Sequence, residues 1–187
     1  MQSMWQMWND YFNPDMCRDI VKRALNIKPV EATTFGNVAN LRRSKVRWIS
    51  RSNFDWSRLF FDVENICRRA NVAFGFNLNM FYEIQFTEYN SEANGFYGWH
   101  EDLLWVPPEG KNSQRKLSFV MQLTDPSEYE GGSLEFQIPG QELPNPNILK
   151  KQGTAVVFPS FIKHRVTPVT KGVRYSLVTW YEGPPFQ

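Results

Sequence analysis

The chain has 187 residues, 42% hydrophobic, 21% charged and 16% aromatic, with a formal net charge of +2. This composition excludes a disordered or low-complexity chain, and so small a charge excludes nucleic-acid recognition by bulk electrostatics alone. The length suits one domain able to bury a real core, and no apolar run approaches the roughly 20 residues that cross a bilayer. With no signal-peptide pattern at the amino terminus, a soluble cytoplasmic protein without a membrane partner is expected.

Asn13-Pro14-Asp15 reads as a helix start: a capping asparagine, proline in the first turn, and an acid at the positive end of the dipole. The helix is predicted to run to about Asn26, because Pro29 disfavours helical geometry just before it. Residues 33–52 read as irregular or short-strand structure carrying Arg42, Arg43, Lys45, Arg47 and Arg51. A second amphipathic helix is predicted from about Asp55 to Asn71, with Leu59, Phe60, Val63, Ile66 and Cys67 at helical spacing. Residues 1–78 are therefore expected to form a helical layer. Cys17 and Cys67 fall among apolar neighbours in these helices, as buried free thiols of a reducing compartment would.

The period then changes. Segments near 80–89, 97–102, 116–124, 133–137, 154–158, 164–168 and 173–182 are short, rich in β-branched and aromatic residues, and bounded by turn chemistry. Residues 79–187 are thus expected to form a jelly-roll-type double sheet, mainly β, with the helices packed on one sheet. The stretch 103–115, interrupted by Pro107-Pro108 and Gly110, suits a loop at the mouth of a site.

The chain has only two histidines, His100 in His100-Glu101-Asp102 and His164 after Phe158-Pro159-Ser160. On an extended strand, His100 and Asp102 would project to one face about 7 Å apart, where both could reach one ion. Two imidazoles and a carboxylate form the facial triad of non-haem Fe(II) oxygenases, although the same set also makes hydrolytic zinc sites. Arg174 follows His164 by ten positions and shares a strand face with Ser176, Val178 and Trp180. A guanidinium on a buried face calls for a carboxylate. Either a bound ligand supplies it, with Ser176 assisting, or a protein acid such as Glu83 or Glu135 does.

From about Tyr82 to Phe186 the chain resembles the Fe(II)/2-oxoglutarate-dependent oxygenases, in the prolyl 4-hydroxylase-like branch. The resemblance is carried by Tyr89, the run Tyr97 to Asp102, Leu117-Ser118, the run Tyr129 to Phe136, Gly153, Phe158-Pro159-Ser160, His164, Val166, Arg174 and Trp180. It implies a distorted double-stranded β-helix in which His100, Asp102 and His164 hold iron and Arg174 binds the C5 carboxylate of 2-oxoglutarate. It further implies that Tyr89 reaches toward the co-substrate, and that O2 is consumed, with ascorbate stimulating turnover. Tyr97, Trp99 and Trp180 are expected in the substrate pocket. Some relatives carry a tyrosine beside the co-substrate carboxylate on the strand after the His-x-Asp loop, and Met121 is expected at that position. Retention of Asp102 favours hydroxylation, since halogenating relatives have a small residue there.

Three functions follow as expectations. The first is hydroxylation of a peptidyl or free amino acid such as proline, with decarboxylation of 2-oxoglutarate to succinate. The second is oxidation of a nucleic-acid base, suggested by the basic run with Trp48 interleaved. A solvated loop or edge strand also explains that run, and Trp180 stands where nucleic-acid dealkylating relatives tend to carry a second arginine. The third is a catalytically silent jelly-roll binding protein.

Overall fold

Asn13 caps α1 (Pro14–Ala24), its side chain accepting the Met16 main-chain N–H at 2.9 Å. A second helix, α2 (Ser57–Phe74), closes on Gly75, whose left-handed φ of 68° suits glycine. The structure is a computed structural model that describes residues 3–32, 40–79, 81, 83–106, 110 and 112–186. Pro107 and Pro108 of the expected mouth loop, and Tyr82 where the resemblance begins, lie outside those residues.

In chain order the strands are β1 (Gln6–Trp8), β2 (Val30–Glu31), β3 (Arg42–Arg43), β4 (Lys45–Ser50), β5 (Glu83–Asn90) and β6 (Phe96–His100). Then come β7 (Gln114–Gln122), β8 (Tyr129–Gly131), β9 (Leu134–Gln137), β10 (Ala155–Pro159), β11 (Lys163–Val166) and β12 (Val169–Gly183), with a short helix, α3 (Pro146–Lys150), before β10. The larger sheet has the order β1-β10-β7-β12-β5-β4-β2, with β8 paired to β12, and the smaller has the order β3-β6-β11-β9. The two antiparallel sheets face each other as the jelly-roll-type double sheet expected from the strand pattern, the double-stranded β-helix that the resemblance implied.

Strand faces explain the burial. On β10, Ala155 and Val157 join the core beneath the helices, while Val156 and Phe158 join the core between the sheets. On β12, Leu177 and Tyr181 face the helices, opposite the side that carries Arg174 and Ser176. The helices contribute Cys17, Ile20, Leu59, Phe60, Val63, Ile66 and Cys67 to the first of these cores. Both cysteines are buried free thiols, and burial pushes Cys17 up to about 11 and raises Cys67 further.

Two expectations change. Residues 1–78 are not a purely helical layer: β1, β2 and β4 extend the larger sheet and β3 edges the smaller. β3 and β4 fall within residues 33–52, read as irregular or short-strand structure, whereas β1 and β2, three and two residues long, are too short for periodicity to reveal. Nor is the basic run simply solvated. Arg47 is buried, donating to Glu88 at 2.8 Å and to the Ile27 carbonyl at 3.1 Å. Arg51 donates to Glu64 at 3.1 Å and to the Phe81 carbonyl at 3.0 Å. Both cations serve the fold.

Candidate active site

His100 ends β6 and is paired directly with His164 on β11. The chain leaves the sheet at Glu101, so Asp102 is not the strand neighbour that the His-x-Asp spacing suggested. Instead the main-chain N–H groups of Asp102 and Leu103 both donate to the Ser160 carbonyl, at 2.9 and 3.0 Å, which pins the turn to the β10–β11 connection. Asp102 then swings back between the rings: its Oδ1 lies 3.6 Å from His100 Nε2 and its Oδ2 lies 3.5 Å from His164 Nε2. Ser118 donates to Asp102 Oδ2 at 2.6 Å, and the Ser160 hydroxyl lies 3.0 Å from that of Ser118.

Each imidazole is oriented from behind. Nδ1 of His100 sits 2.8 Å from the Gly98 carbonyl, and Nδ1 of His164 sits 2.9 Å from that of Ile162. With the N–H given to those carbonyls, both Nε2 lone pairs converge on Asp102. Burial, helped by the neighbouring His164, pushes His100 down to about 4 and keeps it neutral. Burial opposes ionisation of Asp102 too, but the two imidazoles, Arg115 and the Ser118 hydroxyl hold its carboxyl below the usual range. Three donor atoms within 4.8 Å of one another, two imidazoles and one carboxylate, fit a divalent metal.

The site opens into a cavity of about 240 Å³ between the sheets. Arg174 reaches it from the larger sheet, 2% exposed, and forms no ion pair with any acid among the described residues. The protein acids considered for it are elsewhere: Glu135 is held by Arg165 at 2.8 Å, and Glu83 is exposed. Arg174 lies over the Tyr89 ring at 5.4 Å, reaches Ser176 Oγ at 3.5 Å, and donates to the Tyr129 hydroxyl. A Cβ on Gly132 would lie 2.9 Å from Arg174 Cδ, so glycine makes room for the arginine stem. A buried guanidinium without an acid among the described residues, ringed by hydroxyls, has the chemistry to receive a carboxylate.

Tyr89, Tyr97, Ser176 and Trp180 line the cavity as expected. Trp99 does not. Between β11 and β6 the register slips, with His164 opposite His100 but Val166 opposite Tyr97, so β6 carries one extra residue. That bulge brings Tyr97 and His100 to one face, stacked at 3.5 Å between centroids, and turns Trp99 outward under Arg165. Met121 is also corrected. It faces the helices beside Leu177, while Val120 lines the cavity and Gln122 reaches the Tyr129 hydroxyl at 3.2 Å. The phenol beside the arginine is therefore Tyr129, on β8. Its place just before Glu130-Gly131-Gly132 marked the segment, but nothing in spacing tied it to Arg174.

Loop residues Leu103 to Val106 do not line the cavity; Gln114 holds the carbonyls of Leu104 and Trp105 at 2.9 Å each. Ser118, Ser160 and Arg115 act at the site without having been singled out from spacing, because nothing local marks a residue that supports another.

Comparison with known proteins places this geometry. The family described as the 2OG-Fe(II) oxygenase superfamily matches residues 84–182. The chain belongs to that superfamily. Membership implies Fe(II), 2-oxoglutarate and O2, and the triad of this oxygenase fits the iron. A PKHD-type hydroxylase of Synechococcus sp. (strain CC9605) is 41% identical over 92 residues, which are 49% of this chain and 39% of that protein. The chain thus matches about two-fifths of that relative's length. A Pseudomonas putida prolyl-4-hydroxylase superposes with a TM-score of 0.74 at 21% identity, covering 96% of this chain and 93% of its own. A Trichoplax adhaerens prolyl hydroxylase, solved with a hypoxia inducible factor peptide fragment, superposes with a TM-score of 0.75 at 17% identity, covering 95% and 83%. At such identities these structures show a shared fold.

Proposed function

We propose that this oxygenase hydroxylates a C–H bond of an amino acid, free or within a peptide, proline being the leading case. The balanced reaction converts R–H, 2-oxoglutarate and O2 into R–OH, succinate and CO2. The carrying observation is Arg174, buried without an acid on the cavity wall that also holds the His100–Asp102–His164 cluster. Support for an amino-acid substrate comes from the hydroxylase relative and from the prolyl hydroxylase folds.

Each residue has a task. Arg174, Tyr129 and Ser176 bind and orient the distal carboxylate of the keto acid. His100, Asp102 and His164 hold Fe(II), which with 2-oxoglutarate supplies the O2-activating chemistry. Tyr97 stacks on His100 and fixes its ring, while Val120, Leu134, Val166 and Val178 keep the cavity wall apolar and restrict water. The basic run gives less support to a nucleic-acid substrate than its composition suggested, because two of its cations, Arg47 and Arg51, are spent on Glu88 and Glu64.

The test is direct. Fe(II) and 2-oxoglutarate added without oxygen should give the weak visible charge-transfer band of the chelate, and oxygen should then yield succinate, more of it with an amino-acid substrate. Absence of both band and succinate would favour the silent binding protein.

A further inference from the structure

The charge of the cavity does not balance. Among the described residues its walls carry three guanidiniums, Arg42, Arg115 and Arg174, against a single carboxylate, Asp102. Add a divalent metal, and a dianionic keto acid still leaves two positive charges uncompensated. Arg174 is accounted for by that keto acid. Arg42 and Arg115 are not.

The two differ from the arginines around them. Arg47, Arg51 and Arg165 each meet a glutamate, at 2.8, 3.1 and 2.8 Å. Among the described residues neither Arg42 nor Arg115 forms an ion pair. Instead each lies over a ring of the cavity wall: Arg42 Cζ is 4.6 Å from the Tyr97 ring centroid, and Arg115 Cζ is 3.9 Å from that of Trp180. A cation–π contact leaves guanidinium N–H groups able to donate, and among the described residues only Nε of Arg42 is hydrogen-bonded, to Ser44 at 2.8 Å. Tyr97 in turn stacks on His100, which puts Arg42 one ring away from a metal ligand. Half-buried, pre-oriented cations that the protein leaves without acids are receptors for an anion the substrate brings.

We propose that Arg42 and Arg115 bind the substrate's own carboxylate, so that the amino acid hydroxylated is a free one or the last residue of a chain, not an internal one. This deepens the hydroxylase reading and rests on it. The keto acid and the substrate share this cavity of about 240 Å³, and Arg42 and Arg115 both stand on its wall. A planar carboxylate suits the fork of a stacked guanidinium. Trp48, 40% exposed at the cavity edge, offers the remaining surface on which an apolar side chain can rest.

The experiment uses the full chain loaded with Zn(II), a redox-inert stand-in for iron, and 2-oxoglutarate. Titration calorimetry measures binding of the common free amino acids, their amides, short peptides with free or amidated carboxyl ends, and nucleoside monophosphates. At least one free acid or free-ended peptide should bind, about tenfold more tightly than its amide, the factor one charge-assisted hydrogen bond supplies. Arg42→Gln and Arg115→Gln should each erase that preference, whereas Arg115→Lys, which keeps the charge but not the fork, should retain part of it. Equal binding of acid and amide, a preference for the nucleotides, or no binding by any free acid would overturn the proposal. Those results would leave the hydroxylase reading standing if the charge-transfer band forms with Fe(II); loss of the band as well would remove both.

Discussion

His100 and His164 form a cross-strand pair between β6 and β11, their ring centroids 4.2 Å apart. Because the two ligands belong to paired strands, the sheet sets their separation before any metal arrives, and Asp102 needs only to turn in from the adjacent loop. Removing one ring leaves two donors. His164→Ala should lose stoichiometric Fe(II) binding in a metal-content assay and succinate formation with it. Near-full retention of iron would remove His164 from the ligand set.

Ser118 holds the third ligand rather than touching the metal. Its hydroxyl donates to Asp102 Oδ2 at 2.6 Å, in a site where both side chains are buried. Ser118→Ala should weaken Fe(II) affinity by about 10- to 100-fold, the usual cost of losing a partner behind a ligand. Competition with a calibrated chelator measures it; unchanged affinity would show that the Ser160 carbonyl alone positions the loop.

Tyr129 supports Arg174 from β8 and is in turn met by Gln122. Tyr129→Phe keeps the ring and deletes the hydroxyl. The dissociation constant for 2-oxoglutarate should rise about fivefold, equivalent to roughly 1 kcal/mol for one hydrogen bond, with Fe(II) binding little altered. A parallel loss of iron would place Tyr129 in general support of the cavity instead.

Glu64 on α2 gives the fold an acid-sensitive tie. Burial opposes its ionisation, but hydrogen bonds from Arg68 and Arg51 outweigh that and lower its carboxyl below 4.5. Since the folded value is depressed, the stabilisation is present above the unfolded value and is lost as pH falls through the folded one. Glu64→Gln should cost about 1 kcal/mol near pH 7, limited by the exposure of Arg68. The difference in Tm from the parent protein should shrink as the solution is acidified toward pH 3. A gap that stays constant with pH would assign the loss to packing.

How much of this was legible in the chain follows from the range of each interaction. The α1 cap and the metal donors depend on residue type and short spacing, so Asn13, His100, Asp102, His164 and Arg174 could be read off directly. The partner of Arg174 stayed open between a ligand's carboxylate and a protein acid such as Glu83 or Glu135, until the structure placed Glu135 against Arg165. Face and register could not be read this way. One extra residue in β6 turned Trp99 outward, and the pleat of β7 sent Met121 toward the helices; a slip of one position exchanges the two faces of a strand, and only the partner strand decides it. Likewise Tyr129 met Arg174, and β1 to β4 joined the sheets, through contacts between distant segments that no local pattern encodes. Sequence alone determined which chemical groups the protein possesses and where its helices start. Tertiary pairing decided which of those groups share a cavity, because strand partners, not strand residues, choose the side on which each one lies.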